Sequence, residues 1–122
     1  MEIALWIAQV LLGVGFLGVG FSHAFWFEQV AVNPRTSWAR HVGRSNLRVI
    51  GLLEIAGAIG VIVPAVTGFV PWLASLAAVG LVLLMLAAAV FHVRRGEKAA
   101  IAPNAVLGVI AAFVAWGRYV AT

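Results

Sequence analysis

The sequence predicts an all-α membrane protein, folded as a left-handed bundle of four transmembrane helices. Three observations carry that expectation. Of the 122 residues 64% are apolar and only 10% are charged, against about a quarter charged in an ordinary soluble domain. The apolar residues fall into four runs, each near the ~20 residues that a helix needs to cross a bilayer core. The charged residues collect between those runs, so residues 1–122 form a single transmembrane domain with no space for a second unit.

The first span is predicted at about residues 3–26. Its start, MEIALWIAQVLL, lacks the positive n-region of a secretory signal and is followed by no small-x-small cleavage site, so the span is expected to persist in the mature protein. A basic loop follows, carrying Arg35, Arg40 and Arg44. Within it TSWARHVGRSN offers a Thr36/Ser37 helix start, Trp38 and spaced arginines; this suits a short helix lying at head-group level, the alternative being an irregular basic loop. Span two is predicted at 47–66 and span three at 69–93, joined by PAVTGFVP. There a proline on either side of Thr67-Gly68 ends one helix and starts the next. Pro103 is expected to open the last span, 104–121, because the first helical position needs no N–H.

Seven of the eight basic residues lie in or beside the first and third connections. Both connections fall on one side of a four-span protein, and Lys and Arg are enriched in cytoplasmic loops. The expected placement is an inner membrane of bacterial type, with basic loops cytoplasmic and both termini outside. Basic residues interleaved with long apolar runs are topology signals and contacts for membrane lipids, and no nucleic-acid partner is expected.

Steps of three and four residues gather polar and small side chains on one face of each span, the pattern of left-handed helix packing. The stripes are Gln9, Gly13, Phe16, Gly20 and His23; Leu47, Gly51, Glu54, Ala58 and Val61; Ser75, Ala78, Val82, Met85, Ala89 and His92; and Asn104, Gly108, Ala111, Ala115 and Arg118. Packing is the ordinary use of such glycines. Those of spans one and two also suit contact with a second copy of the chain, unless they are used up within the monomer.

Glu54 is the one charged residue too far from a span end to reach the head groups. A carboxylate at hydrocarbon depth must be protonated, paired or wetted, and an ionisable residue there is a candidate for proton or substrate handling. The partners available for an interhelical bond are His23 and Arg48. His23, His92 and Asn104 all lie toward the half of the bundle that holds Glu54, and with Arg48 they complete the set of ligand-binding or proton-transfer candidates. A structural hydrogen bond competes with a chemical role for His23, and a head-group or capping role competes for His92. His23 with His92 lacks a second pair of ligands to argue for haem, and His23, Glu54 and His92 have no short spacing to argue for a metal. Trp6, Trp72 and Trp116 toward one side, and Trp26 and Trp38 toward the other, read as an interfacial belt. Cysteine is absent, which excludes disulfides, iron–sulfur ligation and thiol relays. Phosphate loops, nucleophile elbows and H-E-x-x-H helices are also missing.

Residues 51–97 resemble the DoxX-like family of small four-span membrane proteins. Gly51 to Glu54 match its G-L-L-E signature and Phe91 to Glu97 its F-H-x-R-R-G-E ending, and the Asn104 segment and AFVAWGR at 112–118 extend the likeness. Where the family often has G-x-x-K in span one, this chain has His23 three positions after Gly20, which titrates nearer neutrality. Some relatives are membrane subunits of quinone-linked sulfur oxidoreductases or redox-stress complexes; distant ones act in cargo export or receptor assembly. The resemblance therefore implies an accessory subunit supporting quinone-linked redox chemistry, with electrons coming from a redox partner protein; the sequence's own contribution is the pairing of Glu54 and His23, expected to line a cytoplasm-facing polar pocket. Catalysis by this chain alone is not expected. The alternative is a non-catalytic binding, assembly or lipid-handling protein.

Overall fold

A computed structural model of the chain describes residues 2–121. Four long helices dominate it: α1 (Glu2–Phe25), α4 (Arg44–Thr67), α5 (Trp72–Arg94) and α6 (Lys98–Ala121). Each has 23 or 24 residues, about 35 Å at 1.5 Å per residue. All four are long and apolar enough to cross a membrane. Two short helices, α2 (Phe27–Val32) and α3 (Ala39–Val42), flank a 3₁₀ turn at Pro34–Thr36 in the first connection, and no strand occurs among the described residues.

The long helices form a closed four-helix bundle. α1 packs against α4 and α6, and α5 packs against the same two, which leaves α1 and α5 on the diagonal. Leu12, Phe16, Ala58, Val61, Ala78, Leu81, Met85, Ala111 and Val114 fill the centre, while Ile7, Leu11, Val14, Leu53, Leu83 and Val109 face outward and exposed. That inside-out distribution is what a hydrocarbon solvent permits. Without a hydrophobic drive between helices, close approach supplies the packing. A Cβ on Gly51 would lie 2.5 Å from Gly20 O and from Ala24 N, so only glycine lets α1 and α4 meet here. Gly13, Gly20, Gly57 and Gly60 likewise abut Ile62, Gly51, Leu81 and Ala77, so the monomer itself occupies these glycines.

Two helix boundaries differ from the prolines that were expected to set them. α4 runs through Pro64 and stops at Gly68, whose left-handed backbone (φ 71°) lets its N–H bond Pro64 O at 3.0 Å. The glycine is the stop because it alone adopts that geometry without strain. α6 begins at Lys98, with Pro103 as its sixth residue rather than its threshold. The run KAAIA before it is helix-favouring, and a proline near a helix start forfeits a single backbone bond. Gly96 (φ 69°) reverses the chain between α5 and α6.

Candidate functional site

All seven loop-end basic residues, from Arg35 to Lys98, gather where α1 ends, α4 begins, α5 ends and α6 begins. At this end the bundle opens into a cavity of about 850 Å³. Val19, Ile50, Leu84 and Leu107 supply apolar wall; His23, Glu54, His92 and Asn104 supply polar wall.

Glu54 is the eleventh residue of α4, roughly 15 Å along its axis, one turn beyond the Gly20–Gly51 contact that brings α1 within reach. It is only 1% exposed. His23 Nδ1 lies 2.7 Å from Glu54 Oε1, so the imidazole N–H donates to the carboxylate oxygen, which when ionised can only accept. This bond solves the burial problem: the carboxylate is paired with a group that is itself near the cavity. Arg48, the other partner considered, is exposed and donates from Nε to Ala24 O at 3.2 Å. It closes the α1–α4 seam and is not on the cavity wall. Asn104 is buried and donates from Nδ2 to Met85 O at 2.8 Å, tying α6 to α5. Its carboxamide still lines the cavity.

His92 is 6% exposed, a buried wall residue rather than a head-group contact. Its Nδ1 donates to Glu97 Oε1 at 2.9 Å, while Arg95 Nε donates to Glu97 Oε2 at 3.0 Å. Burial alone would raise the Glu97 carboxyl, but the hydrogen bonds and charges of His92 and Arg95 outweigh it and hold the carboxyl below its ordinary value of 4.5. Glu97 escaped the sequence analysis because a glutamate in an R-R-G-E run reads as solvated; only its five-residue offset from His92, across a turn, could have flagged it.

The first connection folds back over this end. Thr36 Oγ1 donates to Val30 O at 2.6 Å, Arg40 Nε to Ala31 O at 2.8 Å, and Arg44 Nη2 to Glu28 Oε1 at 2.6 Å. Thr36 therefore braces the fold-back instead of capping a helix; the helix that forms is Ala39–Val42, preceded by Trp38. Trp38, expected in the interfacial belt, also turns its ring in over the bundle. Its ring stands edge-to-face with His23, centroids 5.5 Å apart, and with His92 at 5.1 Å, so it roofs the cavity between two imidazoles.

A second polar cluster, unforeseen as a unit, joins α1, α4 and α6 at the opposite end. Gln9, fully buried, donates from Nε2 to Val61 O at 2.7 Å and accepts from Arg118 Nε at 2.5 Å; Arg118 Nη1 also donates to Glu2 Oε1 at 2.7 Å. The Arg118 guanidinium lies 4.9 Å from the Trp6 ring centroid. Among the described residues, no group of three or more histidines and carboxylates could hold a metal ion.

The model of the DoxX-like family matches residues 7–114, a range that takes in every cavity residue named above. Neither curated proteins nor solved structures give a significant match.

Proposed function

The chain belongs to the DoxX-like family, and from that premise we propose that it is an accessory membrane subunit that binds the head group of a lipid-soluble quinone. One observation carries the reading: the His23–Glu54 pair, 2.7 Å apart, stands in the wall of an otherwise largely apolar cavity that opens at the basic end of the bundle. A cavity of this size lies within the range of small-molecule sites. A flat conjugated ring with polar oxygens and an apolar tail matches both kinds of wall. When bound, a quinone supplies a two-electron acceptor; the electrons come from a partner protein, since this chain has no cysteine with which to relay them. The chain's own part is to seat the ring, exclude bulk water under Trp38, and hold a proton at His23 or Glu54 within reach of an oxygen.

The orientation that suits this role puts the basic loops in the cytoplasm of a bacterial inner membrane, with both ends of the chain outside. In this cysteine-free chain, Cys introduced at Ser37 should label only from the cytoplasmic side and Cys at Phe69 only from the other. The reverse pattern overturns the orientation.

Purification in mild detergent, with mass spectrometry of extracted small molecules and co-purifying proteins, tests the function. Quinone and a redox partner are expected. Titration with decylubiquinone should saturably quench tryptophan fluorescence, and Trp38→Phe should remove most of that signal. Arg35 and His41 on the cavity wall favour a second reading, a non-catalytic lipid-handling or assembly protein. Retained anionic lipid with no saturable quinone binding would put that reading first.

A further inference from the structure

The cavity carries two histidine–carboxylate pairs, and the functional reading uses only one. His23 comes from α1 and His92 from α5, the diagonal helices of the bundle. Trp38 stands between their rings. In each pair Nδ1 is engaged by a glutamate, Glu54 in one and Glu97 in the other. Each imidazole keeps Nε2 as its remaining hydrogen-bonding atom, and both residues line the same cavity. Glu97 does not line it. Its carboxylate lies against a separate surface pocket of about 340 Å³, beside Arg35, Lys98 and the outer side of Trp38, and bears on the large cavity through His92.

We infer that Glu97 is a positioning residue that orients His92, and that the two pairs together select a ligand bearing hydroxyl groups at two separated points of one ring, the reduced, quinol form of the ligand. The inference rests on the quinone reading and deepens it, because it assigns each oxygen to its own helix. The Glu97 carboxylate fixes the His92 tautomer by accepting from Nδ1, which leaves Nε2 to accept from a ligand hydroxyl, the role such partners play for other working histidines. Its depressed pKa keeps it an acceptor across the neutral range. A flat ring placed beneath Trp38 would then be held from α1 at one edge and from α5 at the other.

The test compares two probes on the detergent-purified full chain: a decyl-substituted 1,4-hydroquinone, whose two hydroxyls can donate to the two Nε2 atoms, and a decyl-substituted phenol, which keeps ring and tail but has one hydroxyl. Both affinities are read by isothermal titration calorimetry under nitrogen, which keeps the hydroquinone reduced. The wild type should prefer the hydroquinone by about tenfold, the worth of one hydrogen bond. Glu97→Leu and His92→Phe should each erase that preference while leaving phenol affinity within about twofold, and Glu97→Gln, which keeps an acceptor for Nδ1, should restore part of it. Circular dichroism of each variant checks the fold. Equal binding of the two probes by the wild type, an equal loss for both probes in Glu97→Leu, or binding of neither probe while decylubiquinone still binds overturns the inference and leaves the quinone reading standing. Binding of neither probe nor of decylubiquinone overturns the reading and the inference with it.

Discussion

Each end of the bundle carries a buried polar cluster, and the two are put to opposite use. Near the turn between α4 and α5, Gln9, Arg118 and Glu2 turn their polar groups on one another and on a backbone carbonyl, sewing α1, α4 and α6 together. They line neither cavity at the loop end. Near the loops, His23, Glu54 and Asn104 also bond across helices and His92 bonds Glu97 in the turn beyond its own helix, yet each presents part of itself to open space. In lipid an unsatisfied polar group is costly, so polarity by itself marks nothing. The difference lies in what the polar atoms face after their structural bonds are made.

Variants at the two ends should separate stability from binding. The largest expected effect is Glu54→Leu, which strips His23 of its partner. It should cost roughly 1–3 kcal/mol in thermal unfolding in detergent and abolish quinone quenching. Glu54→Gln, which keeps a hydrogen-bond acceptor, should be the milder of the two; an equally severe Gln variant would mean that charge matters more than the bond. Gln9→Leu comes next. It removes the links to Val61 O and Arg118 together and should also cost about 1–3 kcal/mol, but with decylubiquinone affinity unchanged. Lost affinity there would dissolve the distinction between the ends. The smallest effect concerns Glu97. Its folded pKa lies below the ordinary 4.5, so its stabilising contribution is full above that value and is lost as pH falls through the lower folded one. The melting-temperature gap between wild type and Glu97→Gln should therefore be constant from neutrality down to pH 4.5 and close below it. A gap that widens in acid would reverse the sign.

The sequence made the bundle legible because membrane solvation imposes long apolar runs. It made α1 and α4 legible face by face: nearly every residue of their two stripes is buried, because small and polar side chains there mark the inner phase. In α5 and α6 alanines and glycines occur on outward as well as inward faces, and the phase blurred. Leu81 and Val114 are core residues, though nothing sets them apart from lipid-facing leucines and valines. The Glu54–His23 pair was foreseeable, since a carboxylate at that depth has few partners to choose from. Glu97 and Trp38 were not: Glu97 is placed by the Gly96 turn that swings it back to His92, and Trp38 by a loop that folds back on hydrogen bonds between residues such as Thr36 and Val30, neither of which any periodicity encodes.

The Glu2–Arg118 contact joins residues 116 positions apart, and it sets a timetable. A chain made from its N-terminus at about 5–20 residues per second inserts α1 and α4 well before α6 leaves the ribosome. In that interval Gln9 can already reach Val61 O, whereas its second partner, Arg118, has not been synthesised. The same late helix brings Asn104 and Leu107 to the cavity wall. Closure of the ring and completion of the site thus coincide, so a chain stalled before α6 is threaded into the membrane with its glutamate in place and one wall of its cavity missing.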